Sequence, residues 1–253
     1  MSKVIQKSNL PNEKGYSLEN KINEKELDIF KSAITKQWLD KIEEIKPLLA
    51  LKIKKDLISI QEYHKISHLL KHSEIWSKSS RILPEEFALW FIKSDFARSL
   101  SEKYGEFYIS DEDNLGWPNI YWRLVRPHEK GDIGPLHRDS WFWALNNDFP
   151  VPKYDFYRLK VWLPIFTEMG LNGLLLEPFS QKRDDIEWIG EKRHGINKPK
   201  LISPLSQFNT KLIDAIPGNS IVFNDKLVHG GALNKGSKCR VSVEFTMIIK
   251  DKK

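Results

Sequence analysis

Cysteine is almost absent. Cys239 is the only one in 253 residues, which excludes an internal disulfide and any zinc module built on Cys-x-x-Cys pairs, and fits a reducing compartment. Long apolar runs are missing as well. No stretch reaches the roughly 18 apolar residues of a membrane span, and the opening MSKVIQKSNL lacks the continuous apolar core of a secretory signal. A soluble, cytoplasmic chain with no membrane partner is therefore expected. A basic block is lacking too. The 40 Lys and Arg exceed the 34 Asp and Glu by a formal +6, but the lysines are scattered among glutamates. That is the pattern of a solvated surface, whereas nucleic-acid readers carry a clustered stripe. There is no internal repeat and no low-complexity segment.

What is present falls into two textures. Residues 1–20 are polar and read as a loose segment; residues 21–253 read as a single domain. Its first part, about 21–105, has helical spacing. NEKELDIFKSAITKQWLDKIEEIKPLLALKI repeats apolar residues at intervals of three and four, and PEEFALWFIKSDFARSLSEKYG opens with Pro84 and two acids, good first-turn chemistry. From about 106 to 250 short apolar segments take over: EFYIS, NIYWRLV, RLKVWLPIF, GLLLEP, KLIDAI, SIVFN and RVSVEFTMII, punctuated by Gly, Pro, Asn and Asp. The reading is mainly β with N-terminal helices: a jelly-roll core of about eight strands with the helices packed on one face.

The chain has seven histidines. Three of them, His64, His68 and His72, recur every four residues in QEYHKISHLLKH. On an α-helix they form one stripe opposite Leu57, Ile60, Tyr63, Ile66 and Leu70, so they should face solvent, with no closed pocket and no supporting carboxylate. A different pair lies in GPLHRDSWF. His137 and Asp139, two residues apart on an extended segment, point to the same side. His-x-Asp alone is a weak signal, and an isolated histidine is more often structural. A third donor comes from His229 in PGNSIVFNDKLVHGGALN, where an apolar strand leads into a histidine followed by glycines that permit close approach. Two histidines and one carboxylate are the facial triad of non-haem Fe(II) oxygenases. Arg240 follows eleven residues later, at the start of RVSVEF, with Ser242 on the same strand face. A buried arginine needs an anionic partner, and a dicarboxylate held by the planar fork would supply it. Glu244, on the same face, is the internal alternative.

With these residues the chain resembles the iron(II)- and 2-oxoglutarate-dependent dioxygenases, and most closely the phytanoyl-CoA dioxygenase-like branch. The resemblance covers about residues 106–249 and rests on His137-Arg138-Asp139, VFNDKLVHGGALN, Arg240, and the strand, Asn-Gly turn and strand of VWLPIFTEMGLNGLLLEPFS. It implies a double-stranded β-helix, or jelly-roll, core. It further implies Fe(II) on His137, Asp139 and His229, O2 as oxidant, and 2-oxoglutarate with its C5 carboxylate on Arg240 and Ser242. Lys160 is a further co-substrate contact or, alternatively, a lysine on the outer face of a strand. The implied reaction releases succinate and CO2 while oxidising a C–H bond. Hydroxylation is the default because Asp139 is present where halogenating relatives have a small residue; desaturation and cyclisation are also open. Where the branch usually reads Pro-Gly-Ser-His, this chain has Pro178-Phe179-Ser180-Gln181, in a loop that borders the substrate mouth in the family. Tyr121, Arg123 and Trp141 are the candidate substrate residues, and Trp143 reads as core packing. A small polar or anionic metabolite is the expected substrate. The other readings are a metal-free cupin-like ligand-binding module and a nucleic-acid-directed demethylase. The absence of another arginine in VSVEFTMIIK counts against the demethylase.

Overall fold

The structure is a computed structural model and describes residues 7, 10–146, 150–193 and 196–251. The chain enters through β1 (Tyr16–Lys21) and then α1 (Glu24–Ile45). The helix starts at Asn23, whose side chain accepts the Glu26 N–H at 2.8 Å, satisfying one of the free donors of a first turn. Its buried apolar residues, Leu27, Phe30, Ile34, Trp38 and Ile42, keep the three-and-four spacing of one face. Pro47 opens α2 (Pro47–Lys55), as suits a residue with no N–H to lose. Residues 60–81 do not continue the helix. They form three 3₁₀ turns around the short α3 (His72–Ile75), so the anticipated histidine stripe does not exist as one helical face. His64 and His72 are half-buried, and only His68 is exposed. PEEFALWFIKSDFARSLSEKYG divides into α4 (Glu85–Phe91) and α5 (Asp95–Tyr104). The break falls at Ser94, whose hydroxyl accepts the Ala97 N–H and starts a new helix.

All seven anticipated β segments form strands: β2 (Phe107–Ile109), β3 (Tyr121–Val125), β4 (Phe156–Phe166), β5 (Gly173–Leu176), β8 (Lys211–Asp214), β9 (Asn219–Asn224) and β11 (Arg240–Lys250). Four more were not anticipated: β1, the β6 (Trp188–Arg193) and β7 (Ile196–Leu201) hairpin, and β10 (His229–Gly231). Strand β1 corrects the loose reading of residues 1–20, because residues 16–21 pair antiparallel with β9. Residues 1–6 and 8–9 of that segment lie outside the described residues. A short helix, α6 (Asp139–Leu145), precedes β4.

The larger sheet runs β1-β9-β4-β11-β2, with β3 on the same edge of β11 as β2; a second sheet runs β10-β5-β8. Side chains alternate across β11. Val241, Val243, Phe245, Met247 and Ile249 are fully buried in one apolar cluster with Phe30, Ile34, Trp38 and Phe91 of the helices. At about 1.5–3 kcal/mol per large apolar side chain, this face fixes the helices to the sheet. The opposite face meets the smaller sheet: Trp162, Ile221 and Phe223 pack with Leu174, Leu176 and Ile213. That inner face also carries Arg240, Ser242, Glu244 and Thr246. The register sets them beside Val125, Arg123 and Tyr121 of β3 and beside Pro164, Trp162 and Lys160 of β4.

Candidate metal centre

His137 and His229 are locked to each other by backbone. They form an isolated antiparallel bridge with both N–H···O contacts at 2.9 Å, so the two ligand-bearing positions lie directly opposite. The glycines after His229 make this approach possible. A Cβ on Gly230 would lie 3.0 Å from the Leu136 side chain and 3.3 Å from the Leu136 backbone nitrogen, so the tight contact favours a residue without one. Asp139 opens α6, and the Ser140 N–H donates to the Asp225 carbonyl at 2.9 Å, tying the helix start to the loop before β10.

The rings are oriented by hydrogen bonds. His137 Nδ1 lies 2.8 Å from the Pro135 carbonyl and His229 Nδ1 lies 2.9 Å from the Leu227 carbonyl. A carbonyl only accepts, so each Nδ1 carries the proton and each Nε2 keeps its lone pair when the ring is neutral. Both Nε2 atoms turn to Asp139, at 3.7 Å from Oδ1 for His137 and 3.7 Å from Oδ2 for His229. One donor atom from each of these residues falls within 4.8 Å of the others, and no further group of three such donors occurs among the described residues. Asp139 Oδ2 is buried without a hydrogen-bond partner. Burial by itself would raise the Asp139 carboxyl, but Lys160 and the two imidazoles outweigh it and hold the group well below the usual carboxylate range. Burial pushes His229 down to about 4 despite the neighbouring Asp139. An ionised carboxylate and neutral imidazoles are the donor forms a divalent transition metal binds, so the residues fit such an ion.

Farther along the inner face, Arg240 is 3% exposed and Ser242 is fully buried. Arg240 donates through Nη1 to the Gly173 carbonyl at 3.2 Å and lies over the Trp162 ring at 5.5 Å, while its Nε and the Ser242 hydroxyl have no partner. Burial pulls its guanidinium down to about 10, with Arg123 adding to the effect. Glu244 does not neutralise Arg240. It pairs with Arg123 through Nε and Nη2 at 2.8 and 2.6 Å. Burial acts to raise Glu244, but Arg123 and Lys160 win and bring it down to about 2. Lys160 is not on an outer face. It is 7% exposed, and its Nζ donates to Thr246 Oγ1 at 3.3 Å. Burial disfavours its ammonium, yet Asp139, Glu112 and Glu244 raise it.

The candidate substrate residues separate. Tyr121 and Arg123 lie opposite Glu244 and Ser242 of β11, but the Tyr121 hydroxyl donates to Asp113 at 2.8 Å, and Arg123 is the partner of Glu244 with 44% of its side chain accessible. Trp141 stacks on Trp188 of the hairpin, with centroids 5.3 Å apart, and is buried with Ile186 and Val228. Trp143 is half-buried with its ring 4.6 Å from the Arg158 guanidinium, which itself pairs with Asp225 at 2.7 Å. Phe142 sits edge-on to His137 at 5.6 Å. Sequence reasoning missed Trp162, Glu112 and the Arg158–Asp225 pair. The alternation of Arg158, Lys160 and Trp162 with Leu159, Val161 and Leu163 was the signal available. The helical histidines have other duties: His64 Nδ1 contacts Cys239 Sγ at 3.6 Å, and His72 contacts Asp132 at 3.3 Å.

No family model matches this sequence, and no curated protein is significantly similar to it. Solved structures are similar in fold. The non-haem alpha-ketoglutarate-dependent carbocyclase SnoK from nogalamycin biosynthesis is 12% identical with a TM-score of 0.52, over 94% of this chain and 80% of that one. The non-haem monooxygenase ThoJ in its apo form is 13% identical with a TM-score of 0.52, over 94% and 75%. EvdO2 from Micromonospora carbonacea var. aurantiaca is 14% identical with a TM-score of 0.48, and the match spans 67% of this chain and 66% of EvdO2, just under two thirds of its length. The chain thus has a mixed helical and antiparallel-sheet fold in common with SnoK and ThoJ. A shared fold does not by itself assign a function.

Proposed function

We propose that this chain is an Fe(II)- and 2-oxoglutarate-dependent dioxygenase with a double-stranded β-helix core. On its motifs it sits nearest the phytanoyl-CoA dioxygenase-like branch, acting in the cytoplasm on a small polar or anionic metabolite. One observation carries the reading: two Nε2 lone pairs turned toward Asp139 and a carboxylate oxygen without a hydrogen bond converge inside the fold. In this reading His137, Asp139 and His229 hold the iron. Arg240 and Ser242, both with unfilled hydrogen-bonding capacity, take the C5 carboxylate of 2-oxoglutarate, and Lys160 stands beside them as a second buried cation. The bound iron supplies oxygen activation, coupled to conversion of 2-oxoglutarate to succinate and CO2 and to oxidation of a substrate C–H bond. The protein orients the donors through Pro135 and Leu227 and keeps Asp139 ionised through Lys160. Phe142, edge-on to His137, and the accessible Arg123 are the side chains it offers to substrate. Asp139 favours hydroxylation; desaturation and cyclisation use the same residues. A metal-free module would have no use for the unpartnered Asp139 oxygen, and β11 offers no second arginine for a nucleic-acid backbone.

Anaerobic Fe(II) titration of the purified chain tests the reading. One ion per chain is expected, with binding lost in His229→Ala while circular dichroism stays unchanged. Undiminished iron binding in that variant would overturn the ligand assignment. A screen of small acids and amino acids by succinate release then addresses the substrate.

A further inference from the structure

Helix α2 is apolar on two opposite sides, and only one of them is covered. At about 100° per residue, Leu49, Ala50 and Ile53 fall on one face and are buried at 8%, 0% and 3%. Leu48 and Leu51 fall on the other, 82% and 58% exposed, and Ile45 at the preceding helix end is 43% exposed. The segment ends on Leu57, which is 85% exposed and has φ of 53°. A leucine gains nothing from that left-handed conformation, which asparagine or glycine tolerates better. Cations outnumber acids around these leucines: Lys41, Lys46, Lys52, Lys54 and Lys55 stand against Asp56 and against Glu43 and Glu44, which pair with Lys54 and Lys41. Lys52 and Lys55 share the exposed face. Lys54 pairs with Glu43 at 2.8 Å, and Lys46 donates to the Leu69 carbonyl at 2.6 Å, beside a leucine that is itself 39% exposed.

We propose that this face of α2 docks on an anionic bilayer surface. Leucines this exposed project as knobs and form no groove that could receive a partner's side chain. Lysine stems can lie along an apolar surface while their ammonium groups reach lipid phosphates. Exposed leucines flanked by lysines on a short helix match the interfacial binding mode, in which apolar side chains enter the headgroup boundary and basic ones meet acidic lipids. The expectation of no membrane partner drawn from the sequence rested on the absence of a spanning segment. No helix among the described residues is long and apolar enough to cross a membrane, and surface docking requires none. The inference stands apart from the catalytic reading, since none of these residues belongs to the proposed metal or co-substrate site.

Vesicle flotation of the full chain is the test, using phosphatidylcholine alone and phosphatidylcholine mixed with phosphatidylserine. Binding is expected only to the mixed vesicles and should weaken with salt. Replacing two lysine charges in Lys52→Gln/Lys55→Gln should reduce partitioning about thirtyfold. Leu48→Gln/Leu51→Gln should abolish it with little change in the thermal midpoint, because both side chains are mostly exposed. Absence of binding to mixed vesicles, or equal binding to both, overturns the proposal. So does a concentration-dependent dimer in light scattering that the leucine variant dissolves, which would make a second copy the occupant of this face.

Discussion

At the residue scale, the candidate site depends on which buried charges already have partners. Asp139 lacks a hydrogen bond at Oδ2, Arg240 lacks one at Nε and Ser242 lacks one at its hydroxyl; a buried polar group left unpaired costs about 1–3 kcal/mol. Their positions were legible in the sequence because two-residue periodicity needs no tertiary knowledge: 137 with 139, and 240 with 242. The partner of Glu244 was not legible. It depends on which strand lies beside β11, and β3 brings Arg123 to it. Lys160 was ambiguous for a related reason. A lysine in a strand is ordinarily solvated, but β4 is a central strand covered on both faces. The assignment predicts that Arg240→Ala weakens 2-oxoglutarate binding to the Fe(II)-loaded chain by about 2–5 kcal/mol, the cost of removing one member of a buried charge pair. Anaerobic titration reads this directly. Unchanged affinity would pass the anchoring role to Lys160.

At the scale of elements, the strands that were legible carry strong apolar alternation, and those that were missed do not. WIGEKR and INKPKL are polar and basic, and among the described residues they pair with each other in a two-stranded sheet, so their hairpin exists through local pairing and the stacking of Trp188 on Trp141. Strand β10 is His-Gly-Gly, with no β propensity at all, and is fixed by register with β5. The helix break at Ser94 was readable as a capping serine, whereas the 3₁₀ turns of residues 60–69 were not. The loop after β5 carries a left-handed residue with a side chain. Phe179 has φ of 66° and is 49% exposed. Ser180 nevertheless caps the Val228 N–H through its hydroxyl at 2.7 Å, next to His229. Left-handed backbone costs a residue with a Cβ about 1–2 kcal/mol. Phe179→Gly should therefore raise the thermal midpoint, while Ser180→Ala should lower it and weaken Fe(II) binding through the displaced His229. A lower midpoint in Phe179→Gly would mean that the ring contributes packing that outweighs the strain.

At the scale of the whole molecule, the helical layer and the sheets meet at a polar seam. His72 contacts Asp132 at 3.3 Å and the Tyr63 hydroxyl at 3.2 Å, and Asp132 is bound by Arg126 at 2.8 Å. Cys239, one residue before Arg240, ties the same seam to the 3₁₀ turn through its N–H to the Gln61 carbonyl at 2.7 Å. Burial pulls His72 down to about 4 from the usual 6.5; Asp132 opposes this, while Arg126 and Arg81 reinforce it. The folded state thus holds the ring neutral, while the unfolded chain takes up a proton as pH falls below about 6.5. Between these two values the unfolded state binds more protons, so stability rises with pH across the window and is lost on acidification. With the side chain 15% accessible, the loss from this one group by pH 5 is about 2 kcal/mol. His229 titrates in the same direction in the metal-free chain, so wild type alone cannot isolate the seam. The comparison that does is His72→Gln, which cannot titrate. Urea midpoints of the metal-free variant at pH 7 and pH 5 should differ by less than those of wild type, by an amount corresponding to His72 alone. Identical pH dependence in the two proteins would show that His72 is protonated as readily in the folded chain as in the unfolded one, and that the seam carries no pH-sensitive strain.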